Sequence, residues 1–193
     1  DQYGVTYGGI VKVECRPPFD VEPLPFKHLV FTIVDSGIRH STAEIHPYRQ
    51  ADIDRGLRTL MQSPQVPKSI KRRLGYRYHE PDWRQFTEEE LSPHLDLLDE
   101  MARKKLVFTF RMQRSTDLAL KVLRLEEVAA KEVESVLGPE ESGRVTTARR
   151  KQEPYVLLGR IMNYQHELLR DLYDVSLPEL ERIRDALIEA GAY

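Results

Sequence analysis

Apolar and polar positions along the chain predict a mainly helical protein with a few strands near its start. Residues 29–34 form an apolar run, interrupted only by Thr32 and rich in β-branched and aromatic side chains, which predicts a buried strand. The polar turn Asp35–Gly37 ends this run, because glycine and short polar side chains favour turns. Residues 5–15 have strand-like composition and predict an earlier strand. Four prolines within residues 16–25 predict an extended connection between the two strands.

Helical periodicity dominates the rest of the chain, with apolar residues at spacings of three and four. Residues 105–112 are ambiguous, because their composition favours a strand and their surroundings favour a helix. The capping box Thr87–Glu90 and a Ser92 cap followed by Pro93 are alternative helix starts, and the second is favoured. The charged residues 139–150 predict a loop. The predicted helices are 47–61, 68–74, 93–101, 113–138, 153–171 and 177–190.

Composition and charge narrow the classes of function. Of 193 residues, 40% are hydrophobic and 31% are charged, which suits a globular protein with much helical surface. The formal net charge of -2 provides no general attraction for nucleic acid. No apolar run is long enough to span a membrane, and the first residues lack the pattern of a signal peptide. Cys15 is the only cysteine, so no disulfide can form within the chain, and a cytoplasmic location is expected.

The common nucleotide and metal motifs do not occur in the sequence. Neither GxxxxGK[ST] nor GxGxxG is present, and there is no CxxC or HExxH. The six histidines lack metal-ligand spacing, so no metal held by these residues is predicted. The basic clusters Lys68–Arg73 and Arg149–Lys151 are interpreted as solvated surface.

Two stretches near the start resemble motifs of the galactokinase branch of the GHMP kinases. Asp1–Tyr3, followed by Gly8–Gly9 and Glu14–Arg16, is similar to the DQ motif and the DCR strand after it. Asp35–Ser41 (DSGIRHS) looks like the N-x-x-V-R-H segment of galactokinases, and it is closer still to the DSGIRHS of plant arabinose kinases.

Two further stretches resemble the same family near the end of the chain. Leu158–His166 resembles the G-x-L-M-x-x-S-H helix, and Leu169–Leu180 (LRDLYDVSLPEL) resembles the signature LRDDYEVSCPELD. The resemblance covers about residues 1–50 and 153–193, and the signature is its most specific part.

The signature contains a second capping box, Ser176–Glu179, that predicts a helix start. The expected structure is a corner between two helices. Asp171, Tyr173 and Glu179 are expected to fix this corner, the two carboxylates as caps or ion-pair partners.

The resemblance implies a helix-rich α+β fold with few strands. Residues 28–193 would form a GHMP-kinase C-terminal-type domain, with a variable helical segment at about 64–150. Residues 1–27 would be the end of an N-terminal catalytic and ATP-binding domain. The sheet of the C-terminal domain is expected to be incomplete within these 193 residues, because at least two of its strands would follow Tyr193.

The implied activity is transfer of the γ-phosphoryl group of ATP to a sugar hydroxyl, in particular the anomeric one, with Mg²⁺ bridging the phosphates. Asp1 matches the family's catalytic base, and a carboxylate is chemically suited to accept the hydroxyl proton. Tyr48 lies one residue from the position of a sugar-stacking tyrosine. Arg39 and His40 match the motif that shapes the sugar site.

Three family motifs are absent from the 193 residues: the early Asp motif for the sugar, the P-x-G-x-G-L-S-S-S loop and the G-x-G-x-G-G loop. The ATP and magnesium ligands are therefore expected in a remainder of the kinase polypeptide, and the chain alone is expected to be inactive. One alternative is a kinase for a different small alcohol. Another is a non-catalytic sugar-binding or helical interaction module derived from a GHMP kinase. The choice of sugar and the oligomeric state stay open.

Overall fold

The computed structural model of the protein describes residues 2–39, 42–140 and 153–193, and of residues 42–45 it describes the backbone. Within these ranges helices predominate, and the two strands form one antiparallel sheet. The expected helix-rich α+β class is confirmed. The predicted loop 139–150 lies outside the described residues beyond Glu140.

The elements of the described residues follow one another with short connections. The strands are β1 (Ile10–Glu14) and β2 (Asp20–Leu24). Two 3₁₀ turns span Trp83–Gln85 and Ser92–Leu97, and a π turn spans Leu169–Tyr173. The helices are α1 (Gln2–Tyr7), α2 (Thr42–Gln62), α3 (Lys68–Lys71), α4 (Glu88–Leu91), α5 (Glu100–Leu123), α6 (Ala130–Leu137), α7 (Glu153–Leu168) and α8 (Pro178–Glu189).

The strand predicted within residues 5–15 is confirmed over β1, which pairs with β2. Ile10 lies opposite Leu24, so the two strands match over their whole length. Arg124 ties the hairpin to α5, because its guanidinium donates two hydrogen bonds of 2.7 Å to the Glu22 carboxylate. These bonds lower the pKa of Glu22.

The buried strand predicted at residues 29–34 is wrong. These residues have no regular structure, and the side chains of Val30 and Ile33 are 93% and 92% exposed. A strand needs backbone partners at its edges, and residues 29–34 make no backbone hydrogen bond within the described parts of the chain. The turn after them is confirmed: Gly37 has a φ of +68°, and its amide donates to Asp35 Oδ1 at 2.9 Å.

Two helix predictions are settled by long-range packing and by capping. The ambiguous residues 105–112 are helical, because the face with Leu106 and Phe110 is buried within α5. Ser92 does not cap a helix, although a 3₁₀ turn begins there with Pro93 in its first turn. Instead Thr87 caps α4, since its Oγ1 accepts a hydrogen bond from the Glu90 amide.

The chain divides into two compact units, and the division falls within α5 and α7. Unit 1 contains the residues up to Ile33, Thr116–Ile161 and Tyr193. Its core buries Phe26, Leu118, Val122, Val133, Leu157, Leu158 and Ile161. The expected domain boundary between residues 27 and 28 stays a prediction.

Unit 2 contains Val34–Ser115 and Met162–Ala192. Trp83 lies within its core, 5.5 Å from the Phe110 ring centroid, and its indole N–H donates to the Tyr78 carbonyl at 2.9 Å. This core buries Ile53, Leu57, Leu60, Val66, Ile70, Leu74, Trp83, Phe86, Leu91, Leu106 and Phe110.

Gly56 allows α2 to approach α5 closely in unit 2. A Cβ atom at Gly56 would lie 3.1 Å from Ala102 Cβ and 3.2 Å from Leu106 Cδ1. We expect Gly56→Leu to lower the free energy of unfolding by about 2–3 kcal/mol, because a larger side chain overpacks this contact. Urea denaturation measures the change. Gly4→Leu is the control, since a Cβ at Gly4 meets nothing within 4 Å, and equal losses in both variants would contradict the packing.

Candidate functional site

The sequence-predicted site residues are not assembled into one site by the described part of the chain. Asp1 and His40 lie outside the described residues. Arg39 is exposed at the end of the irregular segment, and Tyr48 is 73% exposed on α2. No hydrogen bond or ring contact joins Arg39 to Tyr48 within the described ranges. The contacts around the residue next to Tyr48 are more informative.

Arg49 connects α2 to the segment after α7. Its Nη2 donates to the Asp174 carbonyl oxygen at 2.9 Å and to the Asp174 carboxylate at 2.6 Å. A guanidinium is suited to this double contact, because its planar group presents several donors in fixed directions. Tyr48 is therefore adjacent in sequence to a residue that is held by an ion pair within unit 2.

Residues 169–177, which we call the corner, connect α7 to α8. The π turn ends at Asp174, whose φ of 62° and ψ of 54° are left-handed. Few residues other than glycine adopt this conformation, and Asp is among those that tolerate it best. The Val175 amide donates to the Leu169 carbonyl at 3.1 Å and closes the turn. The backbone therefore reverses at the residue that Arg49 binds.

Lys105 of α5 supports the corner from inside unit 2. Its side chain is fully buried, and its Nζ donates to the Leu172 carbonyl at 2.8 Å. The Nζ also lies 5.6 Å from the centre of the Tyr173 ring. Burial lowers the pKa of Lys105, and repulsion by Arg49 adds to this effect. The cation caps a free carbonyl at the end of a helix, where positive charge is favoured.

Tyr173 fills the inner side of the corner, as the sequence predicts. Its ring stacks on Phe108 with 4.4 Å between centroids, and the His46 ring lies 6.5 Å away. Burial raises the pKa of the Tyr173 hydroxyl. The ring thus joins α2, α5 and the corner in one apolar contact.

Glu181 of α8 organises the outer side of the corner. One carboxylate oxygen lies 2.7 Å from His166 Nε2 and accepts a hydrogen bond from the Ser176 hydroxyl, and the other accepts from Arg170 at 3.2 Å. Burial acts to raise the pKa of Glu181, but these bonds outweigh it and bring the pKa to about 2. Arg184 contributes a further cation at 4.0 Å.

The role expected for Glu179 is therefore wrong, because Glu181 makes these contacts. Glu179 meets only the neighbouring Arg182, at 3.5 Å, among the described residues. The capping box predicted at Ser176–Glu179 is also wrong, since α8 follows Leu177 without a side-chain cap and the Ser176 hydroxyl binds Glu181. Asp171 is an ion-pair partner as expected, with Arg170 as its partner at 2.6 Å.

Sequence reasoning missed Arg49, Lys105 and Asp174. Arg49 and Asp174 are 125 positions apart and Lys105 and Leu172 are 67 apart, so no local pattern reports these contacts. One local signal could have identified Asp174: it directly follows a helical segment that has no glycine at its end, where a left-handed residue is expected.

Gly159 lies in the stretch Leu158–His166 that resembles the family's G-x-L-M-x-x-S-H helix, and the structure leaves no room for a side chain there. A Cβ atom there would lie 2.3 Å from Tyr193 Cβ and 2.9 Å from the Tyr193 carbonyl carbon, both within unit 1. Real Cβ atoms do not come so close to other heavy atoms, so Tyr193 can approach Gly159 here because no side chain intervenes.

Comparison with known proteins gives no relative: no family model, no curated protein and no solved structure matches the chain.

Among the described residues, no group of three or more His, Cys, Asp or Glu side chains is placed to hold a metal ion. None of the helices in that part of the chain has both the length and the apolar character needed to span a membrane.

Lys105→Ala should lower the free energy of unfolding by about 2–4 kcal/mol, because it removes buried packing and leaves the Leu172 carbonyl unpaired. The matched control is Lys104→Ala. Lys104 is partly exposed and pairs with Glu100 at 2.9 Å, so its loss should cost less than about 0.5 kcal/mol. Chemical denaturation measures both variants. Similar small effects would show that the buried ammonium does not support the corner.

The low pKa of Glu181 predicts that part of the free energy of unfolding is lost at acidic pH. Its pKa falls from an ordinary value of 4.5 to about 2 in the folded protein, so its contribution is complete above pH 4.5 and disappears as the pH falls towards 2. We expect Glu181→Gln to lower the free energy of unfolding by about 1 kcal/mol at neutral pH and by much less near pH 3.

The control for this pH dependence is Glu179→Gln on the same helix. We expect Glu179→Gln to behave like the unmodified chain at both pH values. Denaturation curves recorded at pH 7 and pH 3 provide the test. If Glu181→Gln lowered the free energy of unfolding equally at both pH values, the predicted dependence of stability on the ionisation of Glu181 would be contradicted.

Proposed function

We propose that the chain is part of an ATP-dependent sugar kinase of the galactokinase type. This kinase transfers the γ-phosphoryl group of ATP to a sugar hydroxyl, and the anomeric hydroxyl is the one that the resemblance implies. The proposal rests on the four resembling stretches of the sequence and on one contact, which joins α2, the helix after the second stretch, to Asp174 in the fourth. It also includes Mg²⁺ as the metal that accompanies the nucleotide.

The contact between Arg49 and Asp174 is the observation that supports the proposal most. Asp174 lies within the LRDLYDVSLPEL signature, and Arg49 follows the DSGIRHS segment and Tyr48 along α2. Asp174 of the signature thereby contacts Arg49, 125 positions earlier, on the helix that directly follows the DSGIRHS segment. In a kinase of this type, the signature corner would hold the helix that carries a sugar-stacking tyrosine.

The proposed mechanism assigns a proton acceptor and a sugar site to this chain. The Asp1 carboxylate accepts the proton of the sugar hydroxyl as that oxygen bonds to the γ-phosphorus of ATP. The bond from the γ-phosphorus to the bridging oxygen breaks at the same time, and ADP leaves. Tyr48 offers an exposed ring face for the apolar face of a sugar ring. Arg39 and His40 donate hydrogen bonds to sugar hydroxyls.

The ATP phosphates and Mg²⁺ are assigned to a remainder of the kinase polypeptide. The 193 residues lack the family's glycine-rich loops, and the described residues offer no carboxylate cluster that fits Mg²⁺. No step of the mechanism is therefore assigned to the metal. A second candidate function is a non-catalytic sugar-binding or helical interaction module derived from a GHMP kinase, and a degenerate serine-glycine loop upstream of Asp1 would favour it.

The test of the proposed function is ADP formation by the longest natural polypeptide that contains this sequence. The reaction contains ATP, Mg²⁺ and one of galactose, arabinose, galacturonate, glucose, a mannose-type heptose or mevalonate. We expect turnover on a sugar and a loss of about 10²-fold or more in kcat for Asp1→Asn, because the base is removed. Turnover with mevalonate but no sugar would favour the kinase for another alcohol. Sugar binding without any turnover would favour the non-catalytic module.

Tyr48→Ala tests the sugar site separately from the base. We expect the KM for the sugar to rise about tenfold, because one stacking contact is lost, while the KM for ATP stays unchanged. Tyr76→Ala is the control, since Tyr76 is another exposed tyrosine of unit 2. A change in the KM for ATP, or equal effects of both substitutions, would contradict the assignment of Tyr48.

A further inference from the structure

Positive charge is concentrated in residues 55–79, which belong to unit 2. This stretch contains seven lysines and arginines and no aspartate or glutamate, although the whole chain has a formal net charge of -2. A net charge does not report such a local concentration, and a basic patch on one surface is the feature that attracts a polyanion.

Two of the seven cations have partners within unit 2. Arg55 pairs with Asp99 at 2.9 Å. Arg73 donates to the Gln85 carbonyl at 2.8 Å. The other five are at least partly exposed, and their side chains make no hydrogen bond or ion pair with any described residue. We call these five the basic surface: Arg58, Lys68, Lys71, Arg72 and Arg77.

Lys68 and Arg72 lie on one exposed face of the helical turn that begins with α3. Backbone hydrogen bonds continue this turn to Leu74, whose amide donates to the Ile70 carbonyl at 3.0 Å. Ile70 and Leu74 are both buried in the core of unit 2. Lys68 and Arg72 are four positions apart, so they are neighbours on the helix surface, and both are exposed.

Two exposed tyrosines follow this basic turn, because Tyr76 and Tyr78 are 48% and 38% exposed. The Tyr76 amide donates to Glu80 Oε2 at 2.7 Å, and the Tyr78 amide donates to Asp54 Oδ1 at 2.7 Å. The Tyr78 ring also stacks on Trp83, with 5.9 Å between centroids. The nearest carboxylates therefore bind the backbone and fix the tyrosines, and they do not neutralise the basic surface by direct pairing.

Arg58 of α2 and Arg77 place further cations next to these rings. Arg58 is one helical turn beyond Asp54, so the two residues share the face of α2 to which the Tyr78 amide is bonded. Arg77 stands between the two tyrosines in the sequence. Unpaired cations and exposed aromatic rings are therefore combined on one part of unit 2.

We propose that the basic surface, together with Tyr76 and Tyr78, binds single-stranded nucleic acid. Unpaired cations attract the phosphates, and exposed aromatic rings stack on the bases that a single strand leaves accessible. The bases of a duplex are already stacked on one another, so the tyrosines favour a single strand. Because Tyr78 is already held against Trp83, its ring loses little freedom on binding.

An anionic membrane is the alternative that charge alone would allow. Basic segments that lie on membranes also insert Trp, Phe or Leu side chains at the acyl boundary. Ile70 and Leu74 are the aliphatic residues of the stretch 68–79, and both are buried in the core of unit 2. Exposed tyrosines without exposed aliphatic side chains favour nucleic acid.

The first test measures the binding of a fluorescein-labelled oligo-U or oligo-dT of about 12 nucleotides by fluorescence anisotropy. The protein is the longest natural polypeptide that contains the sequence. We expect a Kd of about 1–100 µM at about 50 mM NaCl. The logarithm of the association constant should fall with the logarithm of the salt concentration with a slope of about -2 to -3.5, because up to five cations displace counterions.

Lys68→Gln with Arg72→Gln should weaken this binding about tenfold or more and reduce the magnitude of the slope by about 1.4, because two phosphate contacts are lost. Both side chains are exposed, so the core of unit 2 stays intact. Lys27→Gln with Lys131→Gln is the control that removes the same charge from exposed positions of unit 1. Equal effects of the two double substitutions would overturn the proposal.

Tyr76→Ala tests the stacking separately from the charge. We expect about tenfold weaker binding with an unchanged salt slope, because a ring and no cation is lost. Tyr7→Ala is the control, since Tyr7 is 53% exposed on α1, and it should bind like the unmodified protein.

Two further results would overturn the proposal. One is unchanged affinity in Tyr76→Ala, and the other is no oligonucleotide binding at low salt, with or without binding to phosphatidylserine vesicles. The inference does not depend on the proposed kinase activity, because it rests on charge, exposure and hydrogen bonding within unit 2. Tyr76 has no part in the proposed sugar site, so failure of this binding leaves the kinase assay unaffected.

Discussion

A buried ammonium group on α5 is the interaction on which unit 2 depends. Lys105 gives up its hydration and donates to the carbonyl of Leu172, and its ammonium lies over the face of Tyr173. A buried cation is costly to desolvate, and it is tolerated where it satisfies a buried polar group. Here that group is the end of a π turn, where carbonyls lack the partners of a continuing helix.

The polar contacts of the corner follow from the position of this turn. Because the turn ends in the left-handed Asp174, a carbonyl and a carboxylate face Arg49 together. On the other side, Glu181 gathers His166, Arg170 and the Ser176 hydroxyl around one carboxylate. Both sets of contacts lie within unit 2, and they join the helix of Tyr48 to the signature segment.

Local patterns in the sequence predicted the elements, whereas contacts between distant residues decided the site. Helical periodicity identified α2, α7 and α8, although the start of α2 at Thr42 precedes the predicted Pro47. It predicted α5 only in part, because residues 105–112 were ambiguous and the predicted helix 113–138 runs past Leu123. The capping box Ser176–Glu179 is a local signal, and it suggests that Glu179 is one of the carboxylates that fix the corner. In the structure Glu181 has this role, because it contacts His166 of α7 and Arg170 of the π turn. The run at 29–34 has the composition of a buried strand, but composition does not supply the neighbouring strands that burial requires.

We propose that this chain belongs to a kinase that phosphorylates the anomeric hydroxyl of a sugar. The most direct measurement is the phosphorus-31 NMR spectrum of the longest natural polypeptide containing the sequence, mixed with ATP, Mg²⁺ and galactose or arabinose. We expect the γ-phosphate resonance of ATP to decrease while a phosphomonoester resonance appears with coupling to the anomeric proton. An unchanged ATP spectrum with every sugar, or the appearance of inorganic phosphate alone, would contradict it.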